Sequence, residues 1–198
     1  MGRRADRRVA GGAALDASIT LGDQVGQANI HHNLAQVVSR LGHDREALHH
    51  AERALELYEA GGRRGDQAAA LNNIGWTHAQ LGEYERTLHY CRRALDILAE
   101  AGFPQAEADT WDSLAYSHQK LGQFDEAIAG YRNALGLFRE SNDGRGEADT
   151  LVNLGDCQLA TGDREAATDA WQQALVLFRA LGRPDVEQVT RRLTDHAR

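Results

Sequence analysis

Over residues 107–121, Ala108, Trp111, Leu114, Ala115, His118 and Leu121 recur at i, i+3, i+4 spacing among polar neighbours. That is the stripe an α-helix buries on one face. The same period resumes over 124–139 with Phe124, Ala127, Ile128, Tyr131, Ala134, Leu135 and Phe138. Gly122 stands between them, where a helix end in the left-handed conformation favours glycine. The pattern predicts two helices joined by a tight turn. It also repeats: Leu41-Gly42, Leu81-Gly82, Leu121-Gly122 and Thr161-Gly162 lie 40 residues apart. Leu34, Ile74, Leu114 and Leu154 keep the same step, as do Ala54, Ala94, Ala134 and Ala174. A fixed period of this length marks an array of helix pairs, each burying its apolar face against the next.

Small residues occupy two shared columns, Ala35, Gly75, Ala115 and Gly155, and Ala54, Ala94, Ala134 and Ala174. They allow close helix approach, with Trp111, Tyr131 and Trp171 filling the space opposite. Glycine-rich stretches at 61–65 and 142–146 separate the copies. The register divides the chain into repeats at 27–66, 67–106, 107–146 and 147–183. Residues 13–26 match the tail of an earlier repeat, and 1–12 form a flexible basic start. Residues 184–198 begin at Pro184, a residue suited to a helix start, and carry Val186, Val189, Arg192 and Leu193 on one edge. They are expected to form a helix that caps the last apolar face. The chain therefore reads as the C-terminal part of a longer protein.

The columns Trp111…Leu114-Ala115…Leu121-Gly122…Ala127…Tyr131…Ala134 resemble the tetratricopeptide repeat. The 40-residue unit exceeds the usual length of about 34 and lacks a closing proline. In this it is similar to the extended repeats of kinesin light chain and of bacterial regulators. The resemblance spans 27–183 and implies an all-α fold. That fold is a right-handed superhelix, an α-solenoid of about four helix-turn-helix repeats with a C-terminal capping helix. Its first helices would line a concave groove. Residues 146–156 (GEADTLVNLGD), 171–175 (WQQAL) and 184–189 (PDVEQV) further resemble the C-terminal repeats of actinobacterial antibiotic-regulatory (SARP-type) transcriptional activators. This implies a regulatory protein–protein or peptide interaction module in the cytoplasm. Self-association as a homodimer is the alternative reading.

The groove positions that follow from the register are Asn33, Gln36, Asn72, Asn73, Trp76, Asp109, Asp112, Tyr116, Asn153 and Asp156. Asn33, Asn73 and Asn153 share one column. An asparagine amide both donates and accepts, so the column either pairs with a peptide backbone or holds one repeat to the next. Trp76 and Tyr116 offer aromatic anchors. Asp109, Asp112, Asp149 and Asp156 make the later half acidic. The partner expected is thus a basic or neutral peptide, or a segment of the parent protein. A C-terminal carboxylate is disfavoured because, of His32, Gln36, Asn73, Asp109 and Ser113, which stand at the positions of the family's carboxylate clamp, only Asn73 fits it.

Composition narrows the remaining classes. With 22 Lys+Arg against 29 Asp+Glu, the net charge is -7, and the first eight residues carry four arginines. An acidic body lacks the basic face that nucleic acid needs, so no direct nucleic-acid contact is expected from the repeats. No apolar run is long enough to span a membrane. Cys91 and Cys157 form no CxxC motif. Cys91 falls in the column of Tyr131 and Trp171 and reads as core. Cys157 lies beside Asp156, which disfavours a thiolate. His31-His32 and His49-His50 are adjacent pairs that point to different helix faces, and no HExxH motif occurs. His78 and His118 share a column and are expected to pack between helices. No nucleophile set, metal site or cofactor motif is present, so a non-enzymatic protein is expected.

Overall fold

The computed structural model describes residues 17–196, and every regular element among them is a helix. The chain forms two compact units, divided between Ala101 and Gly102. The first contains α1 (Gln24–Ser39), α2 (Asp44–Ala60), α3 (Arg64–Gln80) and α4 (Tyr84–Ala101). The second contains α5 (Pro104–Lys120), α6 (Phe124–Glu140), α7 (Gly144–Ala160), α8 (Arg164–Ala180) and α9 (Val186–Asp195). In each unit two antiparallel helix hairpins stack, and the first helix of one approaches the first helix of the next. α9 packs on α8. The basic segment 1–12 and residues 13–16 lie outside the described residues.

The turns explain the regularity. Gly22, Gly42, Gly62, Gly82, Gly102, Gly122, Gly162 and Gly182 all have positive φ, between 63° and 89°, and Asn142 takes the remaining place at 55°. These positions are 20 residues apart. The 40-residue repeat is therefore two halves with one turn design, a period visible in the glycines but masked in the helices by their different faces. The turns at 22, 42, 62, 82, 122, 142, 162 and 182 end their helices by a bond from two residues beyond the cap back into the last turn. Glu83 N donates to His78 O, and Gln123 N to His118 O, both at 2.9 Å. This is the Schellman arrangement, which a left-handed residue makes possible. Asp23, Asp143 and Asp163 then accept bonds from the first-turn amides of the helices that follow them, satisfying donors with no helical partner.

The helices begin slightly earlier than the sequence register suggested. α3 starts at Arg64 and α7 at Gly144, so Gly65 and Gly146 belong to helices and not to joints. A Cβ at Gly146 would lie 2.6 Å from the Phe138 ring, so packing between α6 and α7 selects glycine there. Residues 17–20 are helical and end at the Leu21-Gly22 turn, while Gln24–Gly26 open α1. Pro184 precedes α9, which begins two residues later behind Asp185.

The expected pairing of small and large columns organises the core. Ala51, Cys91, Tyr131 and Trp171 are all buried, opposite Ala35, Gly75, Ala115 and Gly155. A Cβ at Gly155 would lie 2.5 Å from the Trp171 indole nitrogen, and one at Gly75 would lie 3.1 Å from Cys91 Sγ. The second unit gathers Tyr131, Leu135, Leu151, Leu154, Trp171, Phe178 and Val189 into a large cluster, beside a smaller one of Ala108, Ala134 and Phe138. The first unit holds smaller, separate clusters around Tyr58 and around Ile74. His78 and His118 are buried as well. Each bonds through Nδ1 to the residue after its turn, Glu83 Oε2 at 2.8 Å and Gln123 Oε1 at 2.6 Å, clasping one helix to the start of the next.

Candidate peptide-binding faces

Within the first unit, α1 and α3 carry Asn33, Gln36, Asn72, Asn73 and Trp76. Asn33 and Gln36 are exposed, and Asn72, Asn73 and Trp76 are half-buried. His32 organises this face. Its ring nitrogens meet Gln36 Nε2 at 3.1 Å and Asn73 Nδ2 at 3.3 Å. Burial lowers the His32 pKa below its ordinary value, opposed by the Asp66 carboxylate. A neutral ring has one acceptor nitrogen, so it serves one of these amides at a time. Asn73 thus bonds across to the preceding repeat, through a side chain and not through the backbone. Asn72 faces inward, its Oδ1 lying 3.8 Å from the Cys91 thiol. Asn29 accepts the Tyr58 hydroxyl at 2.8 Å. Asn33 makes no side-chain hydrogen bond among the described residues, which leaves its amide open to solvent.

Within the second unit, α5 and α7 carry Asp109, Asp112, Tyr116, Asn153 and Asp156. Asp112 Oδ1 accepts the hydroxyl of buried Thr150 at 2.7 Å. Its carboxyl is pushed up to about 6, first by burial and then by the Asp109 and Asp149 charges, with the Thr150 bond opposing. Asp109 is also raised to about 6, by burial and by Asp143. Its side chain is exposed, so water screens it more than Asp112. Tyr116 is half-buried beneath Lys120, whose Nζ lies 4.9 Å from the ring centroid. Asn153 is half-buried with no side-chain hydrogen bond among the described residues.

Asp156 and Asp149 differ from these because the chain's own C-terminal segment reaches them. Arg192 of α9 grips Asp156 with two bonds, Nε to Oδ1 at 2.8 Å and the terminal nitrogen to Oδ2 at 2.9 Å. The buried Trp171 indole donates to the same carboxylate at 3.2 Å. Arg183 bonds Asp149 at 2.9 Å while lying over the Phe178 ring. Asp156 is therefore engaged in fastening α9, a role its spacing did not reveal. Arg183 was not among the residues the sequence singled out, and Arg192 was read only as part of the edge of the capping helix. Their columns become informative only once α9 is seen to stand where a next first helix would.

The two interfaces differ in register: Arg192 and Asp156 correspond, forty residues earlier, to Val152 and Tyr116. Arg183 faces Asp149. Forty residues earlier, the corresponding positions are Asp143 and Asp109, so a carboxylate stands where the arginine would be. Among the described residues no lysine or arginine pairs with Asp109 or Asp112. The second unit thus displays the chemistry its acids accept at one step and leaves it unanswered at the step before.

Other chemistry is sparse. Cys91 and Cys157 are buried, and burial pushes both thiols up to about 12. Among the described residues no three His, Cys, Asp or Glu side chains converge on a point that would hold a metal ion. No helix there is long and apolar enough to cross a membrane.

Two family models, both described as tetratricopeptide repeat, match residues 106–180 and residues 28–60 and 67–101. The chain belongs to the tetratricopeptide repeat family. No curated protein matches this sequence. Among solved structures, BtubC (BKLC) from P. vanneervenii is similar, with a TM-score of 0.79 and 22% identity over 91% of this chain and 75% of its own. Aspartyl phosphate phosphatase F from Bacillus subtilis gives 0.77 and 15%, over 85% of this chain and 44% of that one. The nearly identical repeats of a Podosopora anserina putative kinesin light chain give 0.71 and 14%, over 88% and 86%. At these identities the likeness is one of fold. Tetratricopeptide repeats serve as protein-interaction scaffolds, and that is the class in which this chain stands.

Proposed function

We propose that the chain is a peptide-recognition module whose second unit binds arginine-containing segments. The observation that carries this reading is the pair of arginines already seated there, Arg183 on Asp149 and Arg192 on Asp156. Asp109 and Asp112 stand one repeat earlier with no cation beside them among the described residues. Charge-assisted bonds to guanidinium are shorter and stronger than neutral ones. A cation arriving at Asp109 and Asp112 would also offset the burial, and the neighbouring carboxylates, that raise both carboxyls. On the first unit, Asn33, Gln36 and Trp76 supply neutral contacts for backbone and side chains of a bound segment.

The parent role that fits best is the regulatory C-terminal part of a bacterial transcriptional activator. Its support is the resemblance of residues 146–156, 171–175 and 184–189 to such regulators. One structure of the same fold is named a phosphatase, but no residue set on these faces suits catalysis. A second reading, self-association, is favoured by exposed apolar side chains: Leu21 is 81% exposed and Val176 64%.

The test is a fluorescence-anisotropy titration with a labelled arginine-rich peptide, on the wild-type chain and on Asp109→Asn/Asp112→Asn. These substitutions keep the Thr150 bond and remove two charges. Binding is expected to weaken about tenfold, with a shallower salt dependence. Equal affinity and equal salt slope for the two proteins rejects the reading. Sedimentation of the free chain over a concentration series separates self-association.

A further inference from the structure

The histidines of the first hairpin are brought together in a way their spacing hides. His31 on α1 and His50 on α2 approach Nδ1 to Nδ1 at 2.9 Å, with ring centroids 5.1 Å apart and the rings tilted by 43°. His49 adjoins the pair, its ring centroid 5.8 Å from that of His50. Both rings of the pair are half-buried, so water and ions reach them. Adjacent histidines on one helix point apart, but facing ones on antiparallel helices converge.

We propose that His31 and His50 form a two-imidazole chelate for a borderline divalent transition metal, clamping α1 to α2. Two metal–imidazole bonds of about 2.0–2.1 Å span a nitrogen separation of roughly 2.9–3.4 Å for angles of roughly 90–110°. The observed spacing lies within that span. Imidazole nitrogen is a preferred ligand of zinc, nickel and copper ions. In the metal-free chain one Nδ1 must hold a proton and share it with the other. The metal displaces that proton from Nδ1 and the same ring takes one up from solvent at Nε2, so both rings ligate as neutral imidazoles with no net proton release, and water completes the coordination sphere. Among the described residues the protein supplies two ligands and no third, so the site is a reversible clamp and not a closed structural centre.

The neutral imidazole is the form that ligates. Burial lowers the His31 pKa, and the charges of His50, Arg53 and His49, all on α2, lower it further. Asp66 of α3 acts on His32 instead.

The experiment uses the full, tag-free chain with zinc chloride as the probe. Calorimetric titration at pH 7.5 is expected to show one site per chain. His31→Gln and His50→Gln are each expected to weaken it by about tenfold or more, and His43→Gln and His49→Gln to leave it. Lowering the pH to 5.5 should abolish binding in the wild type. Independently, the imidazole ¹⁵N resonances of the unmutated chain should report Nδ1 coordination at His31 and His50. Undiminished binding in both His31→Gln and His50→Gln overturns the proposal. So do zinc-induced shifts confined to other histidines, or no zinc binding by the wild type.

Discussion

At the residue scale, shape complementarity and charge set the sharpest expectations. Gly155 faces the Trp171 indole with no room for a methyl group. Gly155→Ala is therefore expected to cost about 1–3 kcal/mol in urea denaturation, the usual penalty of overpacking. Gly136 sits mid-helix in α6, and no atom lies within 4 Å of where an alanine methyl would stand. Gly136→Ala should therefore stabilise by about 0.5–1 kcal/mol. Opposite signs for two identical substitutions test the packing directly. Asp112 and His31 make opposite contributions to pH dependence. The folded state raises the Asp112 pKa to about 6 from an ordinary value near 4. The native chain then holds this proton more tightly than the unfolded chain, and stability rises as pH falls from about 6 to 4. Asp112→Asn should raise the melting temperature at pH 7 and remove that contribution. His31 is lowered, so its contribution is present above about 6.5 and is lost as pH falls below it. His31→Gln should flatten that arm alone.

At the element scale, α9 is held by three kinds of contact. Val189 is buried in the core of the second unit, Arg192 grips Asp156, and Arg183 at its entrance grips Asp149. Arg192 is the most informative of these. Its loss leaves Asp156 with the Trp171 indole as its remaining partner, in a half-buried setting. Arg192→Ala is expected to destabilise by about 1–2 kcal/mol. It should also speed amide exchange in α9 more than in α7 or α8, because a terminal element opens before the core. Uniform acceleration across the second unit would instead mean that α9 unfolds only with it. Turn design works at the same scale. Asn142 is the one described non-glycine residue with positive φ. Asparagine tolerates that conformation better than most residues, yet less well than glycine.

At the scale of the whole molecule, the two units differ in how their cores are built. The second has a large continuous cluster running from Ala115 to Val189, with Tyr131, Trp171 and Phe178 fully enclosed, beside a smaller one around Phe138. The first divides its core among smaller groups and fills the corresponding column with Ala51 and Cys91. Larger side chains bury more apolar area and contribute more stability. In a repeat array each unit contributes its own stability and that of its neighbours. Amides of α6, α7 and α8 are accordingly expected to exchange most slowly, and those of α1 and α2 most quickly. Zinc bound at His31 and His50 would narrow that difference by slowing α1 and α2 alone.

Much of this architecture is legible in the chain itself. Periodic apolar positions, small residues facing large ones, and glycine at each turn are local features. They determine helices, hairpins and the repeat, because helix geometry converts spacing into a face without reference to the rest of the fold. The residues of the first-helix faces were legible for the same reason. Which polar groups on those faces meet one another was not. The pairing of His32 with Asn73, of Asp112 with Thr150, and of Asp156 with Arg192 depends on the rotation and offset between successive helices. The same holds for His31 and His50, whose convergence follows from two helices running in opposite directions at close approach. A hydrogen bond forms or fails over less than an ångström, and sequence spacing does not carry that resolution. The chain's own residues determined a tetratricopeptide array, and only helix packing decided which of its polar side chains are spent on holding it together.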